Sequence, residues 1–303
     1  MTAHPTEVAE PAGSAPPSAT IRTASEATRR AFAEEIVAVA QLESAALIEA
    51  FARVPREHFL GPGPWQIGIA VDPDGREYRT TIDDDPRHVY RDVLVALDPA
   101  RELNNGQPSA LARWVGAAAI TAGETVLHVG CGVGYYTAIM AELVGPTGRI
   151  AAYEIDPELA ARARERLAPW PQVTVVAGDG GAPDGMFDAI FVNAGATHIL
   201  PGWIAAVAPG GRLVVPLTMH LSPLPGGVGA MFRADRRDGR WPLRLVSSVG
   251  IYDCANARDP VCEAELRQLL RPGVATEIHA LVVAPHARGP DCLAHLPGCC
   301  IQR

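Results

Sequence analysis

Apolar residues recur at helical spacing in two blocks near the start of the chain. From Ser25 to Gln41 they are Phe32, Ile36, Val37 and Ala40, and from Glu43 to Val54 they are Leu47, Ile48, Phe51 and Val54. That spacing predicts two amphipathic helices. The pattern breaks at GPGPW (61–65), and from there to about residue 100 the chain reads as irregular and acid-rich, with one apolar run at Val93 to Leu97. A stretch of this kind predicts a pocket wall or lid. From Ala112 the rhythm changes. A helix through Ala119 leads to the strand VLHV, a helix over Tyr136 to Leu143, the strand RIAAYEI, a helix over Pro157 to Leu167 and the strand VTVVAG. DAIFVNA, a helix near Pro201 to Val207 and GGRLVVPLT follow. Strands alternating with helices at this spacing predict an α/β fold with a parallel sheet and crossover helices. Its ligand site belongs at the carboxyl ends of the strands.

Length and composition change this picture little: 303 residues at 48% hydrophobic and 20% charged suffice for one main domain with extensions. Net charge is more restrictive. At −8 it offers no cationic footprint for nucleic acid, and no apolar stretch predicts a membrane span, so neither partner is expected. All 26 basic residues are arginine, which excludes lysine Schiff bases and the P-loop lysine. Residues 1–24, rich in Pro, Ala, Ser and Thr without an apolar signal core, are expected to form a disordered tail of a cytoplasmic protein. Six cysteines without CxxC spacing are expected to be free thiols. Cys292, His295, Cys299 and Cys300 could clasp a metal, but their spacing matches no standard zinc pattern, and no metal is expected.

The candidate chemistry lies at successive strand ends. VLHVGCGVGYY (126–136) carries Gly130, Gly132 and Gly134 in a GxGxG loop, where backbone can approach a ligand and the following helix offers unpaired N–H groups. A dinucleotide fingerprint places its third glycine one residue later, where this chain has Tyr135, so pyrophosphate is disfavoured. Glu154, 24 residues after Gly130, can accept both hydroxyls of a ribose. Asp156 is the near alternative, although Asp-Pro more naturally caps the next helix. Gly178-Asp179-Gly180 could bond the edge of an adenine, and Asn193 to His198 ends the strand where the reactive part of the ligand should point. Each element also has a plain reading as a turn. Four in order are harder to dismiss.

The chain resembles the class I S-adenosylmethionine-dependent methyltransferases, and within them the protein-L-isoaspartate O-methyltransferase family. The resemblance rests on ARVPREHFL (52–60), NNGQPSALA (104–112), VLHVGCGVGYYTAIMAELVG (126–145), YEIDPELAARAR (153–164), VTVVAGDG (173–180), FDAIFVNAGA (187–196), PGGRLVVPL (209–217) and the hairpin at 231–252. It implies a Rossmann-like methyltransferase fold: a mostly parallel seven-stranded sheet with an antiparallel C-terminal hairpin, plus N-terminal helical and C-terminal extensions. The implied organisation is a lid region at 25–111, an S-adenosylmethionine-binding core at 112–253 and an extension at 254–303. By the same resemblance Gly130, Gly132 and Gly134 cradle the methionine part of the cofactor, with Cys131 and Tyr135 in the same loop. Glu154 beside Ile155 holds the ribose, Asp179 and Gly180 the adenine, and Gln107, Pro108 and Ser109 lie with Asn193 near the methyl group.

Two positions depart from the family. Gly106 stands where a serine supports the substrate carboxylate, and His128 stands where the glycine motif carries an acid. With the long stretch at 61–100, these departures favour a rebuilt acceptor pocket. The leading expectation is a tailoring methyltransferase acting on a small aromatic, for example indole-like, or peptide-like metabolite at C, N or O. Carboxyl methylation of isoaspartyl or related sites is the second, and a non-catalytic cofactor-binding protein the third. A carboxylate needs no base, whereas a phenol, amine or ring carbon must lose a proton. His198 is the first candidate base, with His88 and Tyr90 in the inserted segment behind it. Tyr135 and Tyr136 are expected to pack on the cofactor or the core, and His128 to be a satisfied core histidine. A monomer or homodimer is expected.

Overall fold

The computed structural model describes residues 21–72, 75–221, 226–271, 277–283 and 285–303. The expected disordered tail falls on residues 1–20, outside the described residues, except for its last positions. There Ala24 is buried, and its N–H donates to Glu57 Oε1 at 2.9 Å, so this part is anchored. Helices α1 (Glu26–Val39) and α2 (Ala45–Arg53) match the two amphipathic blocks. Ser25 and Ser44 cap them by accepting from Thr28 N and Leu47 N.

The ARVPREHFL segment forms the short helix α3 (Arg56–Leu60). Arg56 is fully buried, and its guanidinium donates to the carbonyls of Val89, Arg91 and Val93. Glu57 accepts from the Tyr90 hydroxyl at 2.5 Å. The motif therefore works as a clamp that holds the inserted segment to the helices. That segment is more regular than the sequence suggests, since β1 (Gln66–Asp72) and β2 (Gly75–Thr80) pair antiparallel. The short strands β3 (Ala96–Asp98) and β4 (Leu103–Asn104) form a second ladder.

The core begins with α4 (Pro108–Ala118), then β5 (Thr125–Val129), α5 (Tyr135–Val144), β6 (Arg149–Glu154), α6 (Pro157–Arg166) and β7 (Val173–Ala177). β8 (Phe187–Val192), α7 (Pro201–Ala206), β9 (Val207–His220), β10 (Gly227–Asp235) and β11 (Leu243–Ile251) complete a seven-stranded sheet. Its order is β11-β10-β9-β8-β5-β6-β7, parallel from β9 to β7 and antiparallel across β9, β10 and β11. This is the Rossmann-like arrangement expected. Neighbours along a strand face opposite layers: Phe191, Val214 and Met231 join the cluster under α1, α2, α4 and α5, while Ile190, Leu213 and Phe232 join a second cluster with Trp203 and Trp241. The second cluster also takes in α8 (Pro260–Leu269) and a three-stranded sheet of β12 (Ala280–Val282), β13 (Cys292–Leu296) and β14 (Cys299–Gln302). From β5 the chain winds one way to β6 and β7 and the other way to β8 and β9. The crevice at the carboxyl ends of β5, β6 and β8 is thus the switch point where α/β sheets bind ligands.

Candidate functional site

The glycine loop leaves β5 at that switch point. Gly130 has φ of 76°, and a Cβ there would crowd the Asn193 carbonyl oxygen at 3.2 Å, so both the backbone conformation and the close approach of loop and β8 favour glycine. Gly132 N donates to Glu154 Oε2 at 2.7 Å, and Asp156 N donates to Glu154 Oε1 at 3.1 Å. The Glu154 carboxylate therefore fixes the loop, and each of its oxygens keeps a second lone pair for a ligand. Asp156 caps α6 through Glu158 N and Leu159 N, and it pairs with Arg101 at 2.6 Å.

A cavity of about 280 Å³ opens above these strand ends, lined by Gly130, Gly132, Glu154, Ile155, Asp179, Gly180 and Asn193. Ile155 is 52% exposed, an unusual state for isoleucine that suits the flank of a flat base. Asp179 Oδ1 accepts from Gly181 N at 3.0 Å, which turns the loop so that Asp179 faces the cavity wall. A carboxylate for a diol, an acidic edge beside an apolar flank and a glycine loop are the donor and acceptor set that S-adenosylmethionine requires. The residues present fit that cofactor.

A second cavity, about 620 Å³, adjoins the first and shares Leu97, Asn104, Gly132, Asn193 and Tyr252 with it. Its wall carries Asn105, Gly106, Gln107, Cys131, Tyr136 and Trp114, and its far side is the Ser248 to Tyr252 end of the edge strand β11. Tyr252 donates its hydroxyl to the Glu102 carbonyl and accepts from Asn104 Nδ2 at 2.8 Å, and Asn104 Oδ1 accepts from Gly106 N at 2.9 Å. Asp92 accepts from Gln107 Nε2, Ser109 N and Ser109 Oγ. Asn105 is buried, and its enclosed Nδ2 has no hydrogen-bond partner behind this wall. Among the described residues no histidine or arginine lines this cavity. Burial raises the Cys131 thiol and the Tyr136 phenol well above their ordinary values, so both stay protonated at neutral pH.

Several expected site residues lie elsewhere. Tyr90 is in the core against Glu57 and Phe32, where burial and the Glu57 charge push its phenol far up. His88 bonds Asp83 at 2.7 Å on the outer side of the inserted segment. His198 is half-buried beside Thr197, its basicity lowered by burial, and it lines neither cavity. These three do not converge on the acceptor space. Tyr135 packs on Phe51 and Phe59 with its hydroxyl unpaired in the core, so it does not touch the cofactor side. Gly134 lines neither of these two cavities. A Cβ there would come within 2.7 Å of Leu167, so this glycine lets α5 pack against the end of α6. Ser109 is turned to Asp92 instead of the cavity. His128 is fully buried and bonds Thr137 Oγ1 through Nδ1 at 2.9 Å, but its Nε2 has no partner, so it is only half satisfied.

Asp92, Trp114 and Tyr252 were not singled out by sequence. Asp92 carries a weak signal as the last acid of IDDDPRHVYRD (82–92), whereas Tyr252 reaches Asn104 across 148 positions and has none.

Comparison with known proteins agrees with the geometry. The sequence profile of the family described as Protein-L-isoaspartate(D-aspartate) O-methyltransferase (PCMT) matches residues 82–226. The protein-L-isoaspartate O-methyltransferase of Ignicoccus hospitalis is 32% identical over 198 residues, spanning 63% of this chain and 82% of that relative. A solved protein-L-isoaspartate O-methyltransferase superposes with a TM-score of 0.60 at 22% identity, covering 83% of this chain and 73% of its own. A Plasmodium falciparum chain solved with S-adenosyl-L-homocysteine superposes with a TM-score of 0.55 at 15% identity, covering 75% and 97%. At those identities the two structures establish a shared fold.

Proposed function

The chain belongs to the protein-L-isoaspartate O-methyltransferase family and is an S-adenosylmethionine-dependent methyltransferase, and from that premise we propose that it esterifies a peptide carboxylate, isoaspartyl or a related acidic site. The curated relatives carry the isoaspartyl name. The observation that carries the proposal is the larger cavity: among the described residues its wall carries amides, an Asn105 donor without a hydrogen-bond partner and no imidazole. A carboxylate is already ionised at neutral pH and needs donors instead of a base, whereas a ring carbon or amine needs a proton acceptor.

Bound S-adenosylmethionine supplies a methyl group made electrophilic by its sulfonium. Glu154 would hold the ribose, Asp179 and Gly180 the adenine with Ile155 on its flank, and the loop from Gly130 to Gly132 the amino-acid part. Asn104, Asn105 and Gln107 would orient the acceptor carboxylate in the adjoining cavity. Asp92 and Tyr252 keep those amides in place. Because transfer is an in-line displacement, alignment and exclusion of water are the main demands on the protein. Gly106 leaves out the hydroxyl that the family resemblance implies at this position, and Asn105 would offer a replacement donor from the neighbouring one. A small aromatic acceptor has less support, since His88, Tyr90 and His198 line neither cavity.

Labelled S-adenosylmethionine with an isoaspartyl peptide, its aspartyl counterpart and an indole panel tests the proposal. Base-labile methyl ester on a peptide is expected. Asn105→Ala should lower kcat/KM about tenfold or more, the loss expected for one hydrogen bond to a charged group. Glu102→Gln, which removes the carboxylate at the cavity wall, should leave the rate within a small factor. Base-stable label on indole, lost in Glu102→Gln, would replace this proposal with the aromatic acceptor.

A further inference from the structure

The C-terminal hairpin of β13 and β14 separates its residues into two faces. Ala294, Leu296, Cys299 and Ile301 point into the apolar cluster shared with Trp203 and Phe232. In a regular strand Cys292 and His295, three positions apart, would lie on opposite faces. Here the register shifts between Cys292 and Ala294, so that Cys292 pairs with Gln302 and His295 with Cys300. The extra residue of that bulge brings Cys292, His295 and Cys300 to one face. His286, in the segment leading into the hairpin, folds over the same face, its ring centroid 5.0 Å from that of His295.

We propose that His286, Cys292, His295 and Cys300 form a structural zinc site. Their ligand atoms all lie within 4.8 Å of one another, and His286 Nε2 is 3.3 Å from Cys292 Sγ. Bond lengths of 2.0–2.3 Å in a tetrahedron put ligand atoms about 3.3–3.8 Å apart, so side-chain rotations alone close the site. Two thiolates and two imidazoles are the donor set that selects zinc, and four protein ligands leave no open position for catalysis. The surroundings agree. Gly289 N at 3.3 Å and Gln302 Nε2 at 3.6 Å both donate to Cys292 Sγ, the hydrogen bonds that stabilise a thiolate ligand. His295 Nδ1 is buried without a hydrogen-bond partner, a state that plain core packing leaves unexplained. Of the four residues that the sequence suggested as a clasp, Cys299 is replaced by His286, because Cys299 sits on the apolar face.

The test uses the reduced, metal-free full chain titrated with Co²⁺. The expected result is one Co²⁺ per chain, with a thiolate-to-metal band, the intense visible bands of tetrahedral coordination, and bleaching by an equivalent of Zn²⁺. Cys300→Ser and His286→Ala should each weaken Co²⁺ binding about tenfold or more, while Cys299→Ala retains the spectrum. Circular dichroism of each variant separates lost ligation from lost folding. A weak octahedral spectrum from the folded wild-type chain, an unchanged spectrum in the double variant Cys292→Ala/Cys300→Ala, or a Cys292–Cys300 disulfide that re-forms in preference to metal binding would each overturn the site.

Discussion

Glu154 joins an architectural role to the proposed ribose contact in a single side chain. Its two oxygens already accept from Gly132 N and Asp156 N, so the carboxylate fixes the loop before any ribose arrives. Glu154→Ala should weaken S-adenosylmethionine binding by about 1–3 kcal/mol, the loss when buried partners go unpaired; calorimetry that gives an unchanged Kd would remove Glu154 from the site. His128 poses the opposite problem, a polar ring with no access to ligand or water. Burial lowers its basicity to about 3, against about 6.5 in an unfolded chain. Between those values the unfolded state binds a proton that the folded state refuses. Stability present above pH 6.5 is therefore lost as pH falls toward 3, by about 1.4 kcal/mol per pH unit. Between pH 7 and pH 5, His128→Phe should lose about 2 kcal/mol less than the parent in urea unfolding. Parallel losses would show that other groups set the acid limb.

At the scale of elements, the segment from Glu102 to Gly106 borders both cavities, and Tyr252 fastens it to the end of β11. Tyr252→Phe removes the hydroxyl that serves both Glu102 and Asn104. Methyl transfer should fall about tenfold in kcat/KM from the looser alignment, for a loss of about 1–2 kcal/mol. The Kd for S-adenosylmethionine should change much less, and a proportionate rise in Kd would assign Tyr252 to cofactor binding instead. This fastening also marks where the sequence became illegible. The crossover core was readable because period and glycine placement are local, and Glu154 and Asp179 follow from the strand ends they occupy. DPDG between two short runs is a hairpin signal, but the acid-rich composition around it masks β1 and β2. The acceptor wall depends on contacts such as Asn104 to Tyr252 and Gln107 to Asp92, which no spacing encodes. Tyr135 misled for a related reason: proximity in sequence to the glycine loop says nothing about which side of α5 a ring occupies.

For the molecule as a whole, the material after Asp253 looks detachable in sequence but shares the core of the sheet. Leu266, Leu269, Ile278, Leu281, Leu296 and Ile301 pack in one cluster with Trp203, Leu213, Val215 and Phe232. At about 2 kcal/mol for each buried aliphatic side chain, those six amount to on the order of 10 kcal/mol. That is comparable to the whole net stability of a domain, about 5–15 kcal/mol. The backbone is joined as well, since Leu243 N donates to the His279 carbonyl and Leu281 N to the Trp241 carbonyl, extending the edge of β11 into the C-terminal sheet. Ending the chain before Asp259 should therefore remove cooperative unfolding altogether and expose Trp203 and Trp241, read as dye binding and loss of a calorimetric transition. It should also abolish S-adenosylmethionine binding, although every residue assigned to that cofactor would remain. A truncated chain that melts cooperatively and binds cofactor with parental affinity would instead make the C-terminal sheet an independent layer. The cofactor crevice would then be supported by the helices of the first cluster alone.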